Sequence, residues 1–156
     1  MKAMISRLVL KIKRWFRKKQ LFYKYNHNYE SEKLIVVTDD DRCLGLTLMM
    51  MEDCLLRGYR LYVRNMRTKE NFAKDMYKYC QLGLFPQCPS VSASVAFNNY
   101  LLCPEDLKNV KYKGFATTEV IVDNSCTVFE VNELFGLEPY GVKIINGFIY
   151  VPLAKC

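Results

Sequence analysis

At 156 residues, with 51% hydrophobic and 25% charged side chains, the chain has the composition of a single globular domain with a real core, and global disorder is excluded. The net charge of +7 resides wholly in the first twenty residues, which hold eight Lys or Arg and no acid, against fifteen bases and sixteen acids in the remainder. Seven cysteines with no CxxC pair argue against a secreted disulfide framework and for reduced, mostly buried thiols.

The N-terminal stretch MKAMISRLVLKIKRWFRKKQ reads as a basic amphipathic helix over residues 1–20. Met1, Met4, Ile5, Leu8, Ile12, Trp15 and Phe16 share one face, and the bases lie largely around the other side. Trp15 and Phe16 suit the headgroup layer of a membrane, while Lys2, Arg7, Lys11, Lys13, Arg14, Arg17, Lys18 and Lys19 suit anionic lipids, each base near such a surface contributing roughly 1 kcal/mol. An anionic membrane surface is therefore the first expected partner. Nucleic acid is the second, though a phosphate-binding arm needs no apolar stripe, and a protein that captures basic amphipathic helices is the third. The same pattern also serves a helix docked on its own domain. Charges every two or three positions exclude a membrane span of roughly 20 apolar residues, and the short run Leu8–Leu10 is not a secretory signal, so a cytoplasmic, possibly membrane-associated location is expected.

Residues 21–32, LFYKYNHNYESE, show no periodicity and read as a linker to a single α/β domain over 33–156. KLIVVT at 33–38 is a β-branched run of the kind expected for a strand covered on both faces. The helix after it uses Leu44, Leu48, Met51, Leu55 and Leu56, with Asp40 or Asp41 as cap and Gly58 past its end; Met49, Met50 and Met51 belong to its core face. A second strand over 59–64 and a second helix from Thr68 to about Gln81, using Phe72, Met76 and Tyr79, complete a parallel β-α-β-α start. Alternation at Val91, Ala93, Val95 and Phe97 predicts a third strand, FATTEVIV at 115–122 another, and residues 126–135 a short helix closed by Gly136. Val142–Ile145 and Phe148–Val151 flank Asn146–Gly147, the pair favoured in a type I′ turn, which predicts an antiparallel hairpin. The expected fold is a Rossmann-like, three-layer mixed sheet that begins with parallel units and ends in that hairpin.

Asp39, Asp40 and Asp41 stand where chemistry is expected, at the carboxyl end of the first strand, and neighbouring carboxylates there suit Mg²⁺ with a phosphate or diphosphate. Asp123, at the end of FATTEVIV, would join the same crevice if that strand is parallel and adjacent. Helix capping is the competing explanation for two of Asp39, Asp40 and Asp41 and for Asp123. No GxSxG, Walker loop, GxGxxG or HExxH occurs, closely spaced zinc-ligand pairs are missing, and the single histidine, His27, lies in the linker.

The segment KLIVVTDDDRCLGLTLMMMEDCLLRGYRLYVRN, within Lys33 to about Cys80, resembles the opening strand, acidic cluster, helix and second strand of response-regulator receiver domains. The resemblance implies that two of Asp39, Asp40 and Asp41 hold Mg²⁺. A receiver accepts a phosphoryl group on an aspartate after its third strand, and the corresponding region here, LFPQCPSVSASVAFNN, contains none, so the resemblance implies at most a degenerate receiver. Two function classes follow: an interaction protein held at an anionic membrane surface by its N-terminal helix, or a Mg²⁺-dependent transferase-type enzyme or enzyme fragment acting there on a phosphate-bearing or nucleotide-sugar donor.

Overall fold

The computed structural model describes residues 34–38, 46–85, 87–108 and 117–152, together with residues 2, 4, 5, 8, 9, 11, 12 and 16 of the N-terminal segment, all eight of them helical. The linker, Asp39, Asp40 and Asp41 lie outside the described residues.

The chain runs β1 (Ile35–Val37), α1 (Leu46–Arg57), β2 (Arg60–Tyr62), α2 (Met66–Gln81), the single turn α3 (Ala93–Val95) continuing into a π-turn (Ala96–Tyr100), β3 (Leu101–Leu102), β4 (Thr118–Val122), α4 (Val128–Phe135) and β5 (Val142–Tyr150). Local chemistry sets the helix ends. Asn65 accepts the Thr68 N–H at 2.9 Å and opens α2 one turn earlier than Thr68 itself would. Thr127 and Glu130 form a capping box at the start of α4. Gly58 takes φ +73° after α1, as its place in the sequence predicts.

All described strand pairs are parallel, in the order β1-β5-β4-β2-β3. This is not a receiver sheet, in which the first two strands are neighbours. Rightward along that order run the crossovers β1→β2 and β2→β3, carrying α1 and α2; leftward runs β4→β5, carrying α4. Crossovers of one hand that run in opposite directions must lie on opposite faces. The core divides accordingly. Met50, Met51 and Cys54 of α1 with Ala73 and Met76 of α2 pack on Val37, Leu61, Ile121 and Phe148, whereas Val131 and Leu134 of α4 pack on Tyr62, Val120, Val122 and Ile144. The methionine run is core, as its helical spacing predicts.

The expected hairpin is not present. Residues Val142–Tyr150 form one strand, parallel to β4 on one side and to β1 on the other. The register slips between Val120, paired with Ile144, and Ile121, paired with Asn146, so Ile145 is a bulge residue. The extra residue reverses the parity of the strand: Ile144 faces the α4 side and Phe148 the α1/α2 side, although four residues separate them. Gly147 serves the bulge, not a turn. Its φ is +144°, and a Cβ there would stand 2.2 Å from the Val122 carbonyl oxygen. The sequence signal was right about glycine and wrong about the reason for it.

Two more expectations change. Residues 93–100 are helical because Ser92 accepts the Val95 N–H, and the third strand falls at Leu101–Leu102. β1 is an edge strand with Val36 exposed, not a strand covered on both faces.

Candidate functional site

The crossovers leaving β2 and β4 turn to opposite faces, so the gap between the carboxyl ends of these neighbouring strands is a topological switch point, where open α/β sheets bind ligands. A cleft of about 350 Å³ opens there, bounded by Val37 and Thr38 after β1, Thr47 of α1, Arg64 and Asn65 after β2, Thr68 and Phe72 of α2, Asp123, Asn124 and Ser125 after β4, and Tyr150 of β5.

Its floor is Asp123, 1% exposed. The Asp123 N–H donates to the Tyr62 carbonyl at 2.9 Å and ties β4 to β2. One carboxylate oxygen accepts the Ser125 N–H at 2.9 Å; the other accepts the Thr47 hydroxyl at 2.9 Å, whose single proton is shared with Asn124 Oδ1 at 3.0 Å. Burial pushes the carboxyl above its ordinary range, and the hydrogen bonds from Ser125 and Thr47 oppose that shift. At the mouth, the Arg64 N–H donates to Ser125 Oγ at 3.3 Å, and the largely exposed guanidinium stands 3.4 Å from Glu130. An exposed pair of this kind contributes at most about 1 kcal/mol and leaves the cation accessible.

A second aspartate, after β3, has the opposite environment. Lys69, in the first turn of α2 and 4% exposed, donates to Asp106 at 2.9 Å and lies 3.9 Å from the centroid of the Phe97 ring. Asp106 also accepts the Cys103 N–H at 3.0 Å and the Cys103 thiol at 3.3 Å. Burial alone would raise Asp106, but Lys69 and the Cys103 donors outweigh it and hold the carboxyl below its usual range. This cluster joins α2, the π-turn and the loop after β3, and its groups satisfy one another.

Three buried thiols are held in the protonated, weakly nucleophilic form. Burial pushes Cys54 and Cys126 well up, and burial with the Glu105 and Asp106 carboxylates pushes Cys103 up to about 12. Cys126 donates to the Tyr62 carbonyl. Among the described residues, no three His, Cys, Asp or Glu side chains are grouped to hold a metal ion. Among its described residues the cleft offers hydroxyl and amide hydrogen bonding, the buried carboxyl of Asp123 and the accessible cation of Arg64.

Of the residues expected from sequence to meet an anionic surface, Lys2, Lys11 and Phe16 are helical and exposed; Arg7, Lys13, Arg14, Trp15, Arg17, Lys18 and Lys19 lie outside the described residues, as do Asp39, Asp40 and Asp41. Asp123 lines the cleft together with Val37 and Thr38, but β5 separates β4 from β1, so the adjacency on which its expected meeting with Asp39, Asp40 and Asp41 depended is absent, and those three lie outside the described residues. Sequence reasoning missed Thr47, Arg64 and Ser125, which only the strand order brings together. It also missed Lys69, for which a signal existed: spacing of three, four and seven to Phe72, Ala73 and Met76 places Lys69 on the apolar stripe of α2. No protein-family model, no curated protein and no solved structure matches this chain.

Proposed function

We propose that this chain is a small α/β interaction protein that attaches peripherally to an anionic membrane surface through its N-terminal helix, on the side where thiols stay reduced. The observation that supports this reading is the exposure of the apolar stripe: Leu8 is 59% and Ile12 48% exposed, and Met4, Ile5 and Phe16 are exposed with them. A helix docked on its own domain buries that stripe. Eight bases and no acid in the same twenty residues match the charge of anionic lipid. No described helix is long and apolar enough to cross a membrane. Co-sedimentation of the full chain with phosphatidylserine-containing vesicles, with phosphatidylcholine vesicles and with duplex nucleic acid, over a salt series, tests the reading. It predicts binding to the anionic vesicles with a salt-resistant apolar component that Leu8→Asp removes. Binding to nucleic acid alone, abolished by salt, contradicts it.

The cleft favours a second reading, in which the body binds a phosphate-bearing small molecule such as a nucleotide-sugar, with Arg64 at the mouth meeting the phosphate and Asp39, Asp40 and Asp41 supplying Mg²⁺ ligands. A Mg²⁺-dependent rise in melting temperature with such a donor, lost in Asp39→Ala and Asp41→Ala, supports it, and an unchanged melting temperature contradicts it.

A further inference from the structure

The helix α4 is apolar on two sides. Val131 and Leu134 enter the core, Phe135 and Val128 lie half exposed on the flank beside them, and Phe129 stands near the outermost position, 84% exposed. A surface helix ordinarily keeps its outer arc polar. The outer arc here has an acidic border: Glu133 and Glu138 are exposed, and residues 114–142 hold five acids and no Lys or Arg.

The N-terminal helix is the complement of this face in both properties. It carries an exposed apolar stripe of Met4, Ile5, Leu8 and Ile12 and bases without acids. Both surfaces stand open within one chain, so neither covers the other there. We propose that the N-terminal helix of one copy docks on the outer face of α4 of a second copy, its apolar stripe on Val128, Phe129 and Phe135 and its bases toward Glu133 and Glu138. Reciprocal exchange closes a two-fold dimer. The same stripe meets lipid in the membrane reading, so the dimer is the form in solution and an anionic surface competes with it. The dimer rests on the exposure and charge of the two helices and stands whether or not lipid binds.

Sedimentation velocity of the full chain over a concentration series, at low and high salt, tests the dimer. Expected are a monomer–dimer equilibrium that weakens with salt and a loss of self-association of at least about tenfold in each of Phe129→Asp and Leu8→Asp. Both side chains are solvent-facing, and circular dichroism checks that both variants fold. Glu133→Lys, an exposed charge reversal, is expected to weaken the dimer as well. Mixing Phe129→Asp, which keeps its helix, with Leu8→Asp, which keeps its α4 face, leaves one of the two reciprocal contacts intact, so the mixture should associate more strongly than either variant alone and more weakly than the unaltered chain. A chain that stays monomeric at all concentrations in low salt, a dimer that survives both variants, or a mixture that fails to associate overturns the proposal. Vesicle binding separates the two readings: Phe129→Asp keeps it and Leu8→Asp loses it.

Discussion

The body and the N-terminal helix handle apolar side chains in opposite ways. In the body, Leu61, Val63 and Ile121 are removed from water on one face of the sheet, and Val120, Val122 and Leu134 on the other, by helices whose faces the strand order dictates. In the N-terminal helix every described apolar residue remains in water, although its periodicity is as regular as that of α2. Burial of a leucine-sized side chain stabilises by about 1.5–3 kcal/mol, so a stripe of such residues left open is a surface whose free energy is released only on association. An amphipathic pattern therefore specifies that a face will be covered, not by what.

Substitutions sharpen the contrast, and those in the body have the largest expected effects on stability. Gly147→Ala forces a Cβ against the backbone of Val122 at a positive φ, and a loss of about 3 kcal/mol or more is expected in urea denaturation. A near-neutral result would show that the bulge in β5 can relax. Next is Lys69→Met, which leaves Asp106 without its cation. A loss of about 2 kcal/mol is expected, less than for a fully enclosed pair because Asp106 is partly exposed, and Asp106→Leu in the same chain should recover only part of it because the Cys103 N–H then loses its acceptor.

The two aspartates give a smaller, pH-dependent pair of effects. Asp106 is lowered on folding, so its contribution is present above the unfolded carboxyl value of about 3.9 and is lost as pH falls through its lower native value. Asp123 is raised, so its contribution is present below about 3.9 and is lost as pH rises through its higher native value. Stability measured against Asp106→Asn should therefore fall toward acid, and stability measured against Asp123→Asn should fall from acid toward neutrality. Parallel curves would mean that the two carboxyls share one environment. Smallest of all, Leu8→Asp should change the stability of the body by less than about 0.5 kcal/mol, since the site it alters is in water.

Much of this architecture is legible in the residues, for reasons that are local. IVV at 35–37, the periodicity of α1 and α2, and the run TEVIV at 118–122 each carry their own period, and the methionines of α1 fall on the core side by spacing alone. What is not legible is set by distant partners. Asn146–Gly147 satisfies a turn by local preference, but pairing of one strand with both β1 and β4 takes precedence, and the glycine answers to the backbone of Val122 across the sheet. The cleft is non-local in the same way: Thr47 meets Asp123 across 76 positions, and Arg64 meets Ser125 across 61. Asp123 is flagged by its place at the end of a recognisable strand, but its partners Thr47 and Ser125 and the strand order that makes the cleft are not. The serine-rich alternation near residue 93 misled because Ser92 offers its hydroxyl to a helical turn, a contact that competes with extended structure over so short a run.

The N-terminal segment supplies its own probe, because Trp15 is the only tryptophan of the chain and by sequence spacing shares the apolar stripe. Trp15 fluorescence is to be recorded while phosphatidylserine-containing vesicles, with and without lipids brominated along their acyl chains, are added to the full protein. A blue shift on vesicle addition, strong quenching by the brominated acyl chains and persistence of both at high salt are the predicted result. Unshifted emission that the brominated lipid does not quench, at saturating vesicle, would contradict attachment through this helix.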